Sequence, residues 1–461
     1  MKSYMYSMWG YLLYLLPVLL SNVLYKDDIS RVLENSGRSW IQDGRPFMAL
    51  LHYILNFGTA IFNLSPLTQI IGAGVLGYAA YRFVEKYITE YPIDLKVLCI
   101  ISVLINPFFL ENLSYNFESL GMCTALACAI GIYLPEGSLR KTILVTVLGT
   151  FIVMGTYQAA VGGIIIGAMI VSYLKHDIKM FLIRIGGILG GVLIYMLTIA
   201  KFLVPSDGYQ GEHSALVTSV DMFLKHYGIY MQQLKDLFFP NIDAPVTCLF
   251  TFVILGCICG LISYMYTIDL KDRWVAVLPF VSVFVSFLPL CFLEKTIYMP
   301  RTMISFNMVF LFCAILLSQL IIKAPFMRWL PAFMVLWCYT FSYTLGNILI
   351  SQDRLENHVM SDIATDIGRL NINKDTKIYI TGNRIICLEA QAAEQKHKVF
   401  HVLNNTRIRT DVTYIESLLS HYMNRKVSVR IDVPKAEYKI MAINNSYLLV
   451  GDKDHVIIVL R

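Results

Sequence analysis

The chain has 461 residues, of which 56% are hydrophobic and 15% charged, with a net charge of +6. A water-soluble domain carries about 25% charged residues, so most of this chain is excluded from being one. Residues 351–461 alone hold 16 Lys/Arg and 13 Asp/Glu, and the small positive excess points to no nucleic-acid partner.

Apolar runs of roughly 17–25 residues, the length that crosses about 30 Å of hydrocarbon, predict about eleven spans. They fall near 4–24, 64–81, 97–112, 119–134, 142–156, 158–174, 182–204, 246–268, 275–293, 303–322 and 330–350. The first reads as an uncleaved signal anchor, because no small-residue cleavage site precedes Tyr25-Lys26-Asp27-Asp28. Residues 47–63, interrupted by His52, Asn56 and Asn63, read as an interfacial helix. Gly149, Gly155, Gly162, Gly163 and Gly167 blur the break within 142–174. Beyond residue 350 the pattern changes to a small α/β domain. It has helices near 353–370, 387–397 and 411–424, and strands near 376–381, 427–432, 437–443, 446–450 and 455–460.

Basic residues orient the spans. Segments 1–3, 82–96, 135–141, 175–184, 269–274 and 323–329 hold 13 Lys/Arg in 48 residues, against 9 in 97 for the alternate loops. This places the N-terminus in the cytoplasm. With an odd number of spans, residues 351–461 are then outside. The outside loops hold 12 Asp/Glu and the inside segments 7, so the expected chemistry is on the outer face.

The first outer loop, 25–47, is the densest. Asp27 and Asp28 adjoin the exit of a membrane helix, and Ile29, Val32 and Leu33 share one helical face, so the loop is expected to lie flat on the membrane. A carboxylate there can cap the helix, act as a general base toward a hydroxyl or hold a divalent metal, although no cofactor or metal site is indicated. The second loop, Asn106-Pro107-Phe108-Phe109-Leu110-Glu111-Asn112-Leu113-Ser114-Tyr115-Asn116-Phe117-Glu118, has the aromatics of an interfacial belt. Glu111 and Glu118, seven apart, can bind sugar hydroxyls or cap helices. Tyr157-Gln158 is a polar break between spans. Lys295 and Arg301 bracket another outer turn, where an Arg suits a phosphate or snorkels. The loop 201–245, with Asp207-Gly208, Gly211-Glu212-His213 and a helical stretch near 218–237, is long enough to cover a site. His397 and His401 have metal-ligand spacing for a helix, but Lys398-Val399-Phe400 reads as strand. No Walker motif is present.

The run Asp27-Asp28-x-x-Arg31, then Trp40, then Gly44-Arg45-Pro46, together with Asn106–Tyr115 and the soluble end domain, resembles the Gtr-type serotype-converting O-antigen glucosyltransferases of the GT-C superfamily. The resemblance implies a GT-C-like all-α membrane domain over 1–350, with a catalytic loop at 25–47, and a periplasmic α/β domain over 351–461. It implies transfer of a sugar, expected to be glucose, from undecaprenyl phosphate to lipid-linked O-antigen at the bacterial inner membrane. Asp27 or Asp28 would be the base. Arg31, Arg45, Glu111, Tyr115, Glu118, Gln158, Lys295 and Arg301 would bind donor phosphate or substrate, with membrane lipids around them. A flippase of lipid-linked sugars, an O-antigen polymerase and an anchoring protein are the alternatives. A transporter places polar groups near the bilayer midplane, and the runs above contain essentially none.

Overall fold

A computed structural model describes residues 1–461 except 136, 207–214, 239–243, 371–375, 409–410, 434–437 and 453, and omits the side chains of 237–238 and 244–246. The motifs at Asp207-Gly208 and Gly211-Glu212-His213 therefore lie outside the described residues. Helices occupy the chain as far as Arg369, and a five-stranded sheet follows.

Among the described residues, six helices are long and apolar enough to cross a membrane: Leu139–Thr156, Gln158–Lys175, Ile178–Leu203, Thr247–Met265, Phe306–Lys323 and Pro325–Arg369. This is fewer than the eleven expected runs, for identifiable reasons. Lys2–Ser21 and Leu67–Tyr87 have the length, but Tyr and Ser in the first, and Gln69 and Arg82 in the second, dilute their apolarity. The run near 97–112 is divided into Ile93–Ser102 and Phe109–Ser114, with Pro107 between them. That near 275–293 is divided into Leu278–Val285 and Leu288–Cys291, with Pro289 in the first turn of the latter.

The two runs within 142–174 separate at Tyr157. Its extended backbone (φ −156°, ψ 103°) ends Leu139–Thr156, and the single turn Gln158–Ala160 leads into Val161–Lys175. Ser138 caps the first of these helices by accepting from the Lys141 amide. Ile178–Tyr195 then packs back on it almost backbone to backbone. A Cβ on Gly191 would lie 2.6 Å from the Val147 carbonyl oxygen, so only a residue without a side chain permits this approach. Gln158–Lys175 and Phe306–Lys323 are 72% and 67% buried and form the interior of the bundle, whereas Ile178–Leu203 is 22% buried and faces outward.

Two expectations need correction here. The spans do contain buried polar groups: Asn106 Nδ2 donates to Asn307 Oδ1 at 2.8 Å, and Ser305 Oγ donates to the Ala159 carbonyl at 2.7 Å while accepting from the Gly163 amide at 2.8 Å. Short amides and hydroxyls barely alter mean hydropathy, and pairing with one another removes most of the cost of burying them. The segment Asn106–Glu118 is also no surface belt. Every one of its residues is buried.

The chain divides into two compact units. One comprises Met1–Leu19 with Asn35–Tyr343, the other Leu20–Glu34 with Thr344–Arg461. In the second, strands β1 (Lys377–Gly382), β2 (Val429–Arg430), β3 (Lys439–Ile443), β4 (Tyr447–Gly451) and β5 (His455–Leu460) are ordered β2-β1-β5-β4-β3. β1 is parallel to β2 and β5, and the β5-β4-β3 side is antiparallel. Ile378, Ile380, Val456 and Ile458 of the sheet are buried with Ile363 and Ile367 of Trp329–Arg369 and with Ile415 and Leu419 of Val412–Tyr422. Ile29 joins this core, while Val32 and Leu33 are exposed. The loop around it is thus packed into protein through Ile29 rather than laid flat through all three residues. The stretch read as strand between the two histidines is the short helix Val399–Leu403. His397 precedes that helix and His401 sits 3.0 Å from Glu394. Among the described residues no group of three or more His, Cys, Asp and Glu is gathered to hold a metal ion.

Candidate functional site

In the helical unit the polarity converges on a turn and a helix break. The turn is Asp43-Gly44-Arg45, which enters the helix Pro46–Leu55 with Pro46 at its first position. Gly44 has φ +73°, and a Cβ there would strike the Tyr195 hydroxyl, so the turn requires glycine on two counts. The break is Tyr157–Ala160, where Gln158 emerges between two spans. Gln158 Nε2 donates to the Asp43 carbonyl at 2.8 Å and to the Tyr195 hydroxyl at 3.0 Å, and Tyr195 donates to the Gly44 carbonyl at 3.2 Å. Gln158 Oε1 accepts from Arg45 Nε at 3.0 Å. One amide side chain therefore fixes both the turn and the guanidinium it presents.

Arg45 lies over the Tyr157 ring, 5.0 Å from its centroid, and its Nη1 is 3.8 Å from Glu118 Oε2. Burial opposes the charge of Arg45, but Glu118 and then Asp43 hold its pKa above the ordinary value. Glu118 is itself 3% exposed, and its other oxygen accepts from Trp40 Nε1 at 3.0 Å. Trp40 is fully buried against His52, whose Nε2 is 2.7 Å from the Phe117 carbonyl oxygen.

A second arginine is attached to the same cluster. Glu111, fully buried, accepts from the Arg301 amide at 2.8 Å. Asn112 Nδ2 and the Tyr157 hydroxyl both donate to the Arg301 carbonyl, at 3.0 and 3.2 Å. The Arg301 backbone is held from both sides, and its guanidinium stacks over the Tyr115 ring at 5.2 Å. Tyr157 joins the two arginines, with Arg45 on its ring and Arg301 on its hydroxyl. Burial holds the Tyr157 phenol well above its usual value, so it remains a donor.

Six of the ten candidate residues are thus assembled: Arg45, Glu111, Tyr115, Glu118, Gln158 and Arg301. Lys295 is exposed in the segment before Arg301. Asp27, Asp28 and Arg31 belong to the other compact unit. There, Asp28 is fully buried and its Oδ2 accepts from the Tyr25 amide at 2.8 Å, whereas Asp27 is exposed. Arg31 pairs with Glu34 at 3.5 Å. Tyr25 donates to the Leu403 carbonyl at 2.9 Å and the Lys26 amide to Asn405 Oδ1 at 3.1 Å, which ties this segment to the C-terminal region. Sequence reasoning names Trp40 and Tyr157 without giving them a site role and passes over Tyr195. Trp40 and Tyr157 do stand beside polar breaks, a usable signal; Tyr195 carries none.

A family model described as glucosyl transferase GtrII matches residues 16–317. That range contains all ten candidate residues and ends before the sheet. A protein of Salmonella phage P22, an uncharacterized 55.3 kDa protein in the gtrB 5' region, is 28% identical over 391 residues, covering 79% of this chain and 78% of that protein.

Proposed function

Because the chain belongs to the GtrII glucosyl transferase family, and its helices suit a membrane, we propose that it moves glucose from a polyprenyl-phosphate donor to lipid-linked O-antigen at the periplasmic face of the bacterial inner membrane. The acceptor hydroxyl oxygen bonds to the sugar's anomeric carbon as the bond from that carbon to the donor phosphate breaks. Polyprenyl phosphate leaves with the electron pair, and the acceptor's proton passes to a carboxylate. The observation that carries this reading is the Arg45 guanidinium, presented on a rigid turn beside Glu118 and Gln158, with Arg301 linked to it through Tyr157. A planar, partly desolvated guanidinium is suited to a phosphate leaving group.

The base belongs to the first outer loop, and Asp27 is its stronger candidate, since it is exposed to an approaching hydroxyl whereas Asp28 is fully buried. The test is transfer of labelled glucose from undecaprenyl-phosphate glucose to lipid-linked O-antigen by the purified chain in liposomes. Asp27→Asn, nearly isosteric, should slow transfer by about 10²–10⁴-fold, and Asp28→Asn should act mainly on stability. Absence of transfer by the unmodified chain removes the proposed reaction. An Asp27→Asn variant at full rate moves the base to Glu118 or Glu111.

A further inference from the structure

A cavity with charged residues in its walls lies in the helical unit, away from the described interactions of Arg45. Its volume is about 540 Å³, within the range of about 300–1,000 Å³ usual for small-molecule sites. It lies between the helix Val220–Phe238 and the segment leading to Arg301, and its walls include Asp221, Met222, Lys225, His226, Glu294 and Tyr298. We propose that this cavity binds a sugar residue of the acceptor glycan. The proposal rests on the glycosyltransferase reading above and adds a subsite to it.

Charge narrows the occupant. Asp221, Lys225 and Glu294 have no ion-pair partner among the described residues, and together they carry one net negative charge. A phosphate would meet two carboxylates and one ammonium and be repelled. A metal ion would need ligands drawn together, and these side chains are not so gathered. A neutral polyol fits both facts. Carboxylates accept from hydroxyl pairs, Lys225 donates, and Met222 with the Tyr298 ring offers apolar surface to the C–H face of a pyranose.

His226 supplies an independent sign. It is 6% exposed, its Nδ1 is hydrogen-bonded to the Tyr298 hydroxyl, and its Nε2 is buried with no partner among the described residues. A buried ring nitrogen left unpaired is costly, and a ligand hydroxyl in this cavity would relieve it.

The cavity wall is also tied to the arginine site. Tyr230 donates to the Ile297 carbonyl at 3.1 Å and Gln233 Nε2 to the Tyr298 carbonyl at 3.0 Å. Glu294 is bonded through its amide to Ala215 at 2.8 Å. Tyr298 stands three residues before Arg301, whose backbone Glu111 and Asn112 hold. A sugar on this wall is therefore positioned relative to Arg301 by a short, doubly anchored strip of chain.

The experiment is saturation-transfer NMR on the purified full chain in detergent micelles, with the methyl glycosides of galactose, rhamnose and N-acetylglucosamine as probes and inorganic phosphate as competitor. At least one glycoside should give a signal that phosphate does not displace. The exposed, isosteric pair Asp221→Asn/Glu294→Gln should weaken its binding by about 10–100-fold, as expected for lost hydrogen bonds to charged groups, with an unchanged melting temperature. Arg45→Ala should retain it. No glycoside signal, or a signal indifferent to the double variant, overturns the proposal, as does displacement by phosphate. None of these outcomes depends on sugar transfer, so the subsite can fail while the transferase reading stands, and the reverse.

Discussion

Arg407 of the C-terminal unit and Arg45 of the helical unit both stand against carboxylates, and the two are held differently. Arg407, 4% exposed, donates from Nε to Glu356 at 3.0 Å, from Nη1 to the Leu24 carbonyl at 3.1 Å and from Nη2 to Asp353, while its amide donates to Glu356 at 2.7 Å. Its guanidinium also lies 3.9 Å from the centre of the Tyr414 ring. Arg45 is 22% exposed and among the described residues makes one side-chain hydrogen bond, to Gln158; its carboxylate neighbour stands at 3.8 Å, beyond hydrogen-bond reach. The first guanidinium is bonded through all three of its nitrogens within its own chain and ties Leu24 to the long C-terminal helix. The second is oriented but has donors left to give. A buried cation bonded through every nitrogen serves the fold, and an oriented one with fewer bonds fits the phosphate role proposed for Arg45.

The comparison can be broken by two substitutions. Arg407→Ala leaves Glu356, 1% exposed, without its counter-charge. It should cost about 3–5 kcal/mol, seen as early melting and protease sensitivity of residues 351–461 in the full chain. Arg45→Ala should instead raise the donor KM by about 10–100-fold, the equivalent of about 1.5–3 kcal/mol for a charge-assisted contact. Its stability loss should be smaller, because Glu118 keeps the Trp40 donor. Equal destabilisation by both, with transfer per folded molecule unchanged in Arg45→Ala, would make the two arginines equivalent and end the phosphate assignment.

Gly44 sharpens the same contrast at lower energy. Gly44→Ala forces an L side chain to φ +73° and into the Tyr195 hydroxyl, at about 1–2 kcal/mol for the backbone alone. The turn carrying Arg45 should shift, raising the donor KM along with the drop in melting temperature. Adding Tyr195→Phe removes the struck oxygen and should restore part of the stability. If it restores none, the backbone conformation accounts for the whole effect.

Much of the site was legible because charge is rare in this chain. Arg45, Glu111, Glu118 and Arg301 stood out against apolar runs, and Gln158 marked a break that the structure places at Tyr157. The strands were legible for a related reason: TKIYIT and HVIIVL are short apolar runs bounded by polar turns, and β1 and β5 lie almost on those runs. What escaped depends on contacts distant in sequence. Tyr25 reaches Leu403 across 378 positions, so nothing local assigns Asp27 and Arg31 to the C-terminal unit. Trp40 and Tyr157 look like interfacial aromatics until Glu118 and Arg301 are seen as their partners. The burial of Asn106–Glu118 was hidden because aromatic residues suit both a membrane surface and a protein interior.

The smallest expected effect separates a functional Asp27 from a structural one. Asp411 caps the helix Val412–Tyr422 by accepting from the Tyr414 amide at 3.0 Å. Burial, and behind it the negative charge of Asp27, push the Asp411 pKa above its ordinary value. A carboxyl raised in the folded state binds its proton more tightly there than in the unfolded chain. Its contribution is therefore most favourable below the unfolded pKa of about 3.9 and is lost as pH rises through the raised folded value. At neutral pH the ionised Asp411 is a net cost, and Asp27 adds to it. Asp27→Asn should then raise stability at pH 7 by about 0.2–1 kcal/mol, the scale of a partly exposed charge pair, and leave it unchanged in acid where Asp411 is neutral. Thermal melts at the two pH values measure this directly. A variant that is more stable yet nearly inactive is the signature of a charge kept for chemistry against the interest of the fold. A variant that is less stable at pH 7 would show that the Asp27 charge serves the fold, and the base would have to be sought at Glu118 or Glu111.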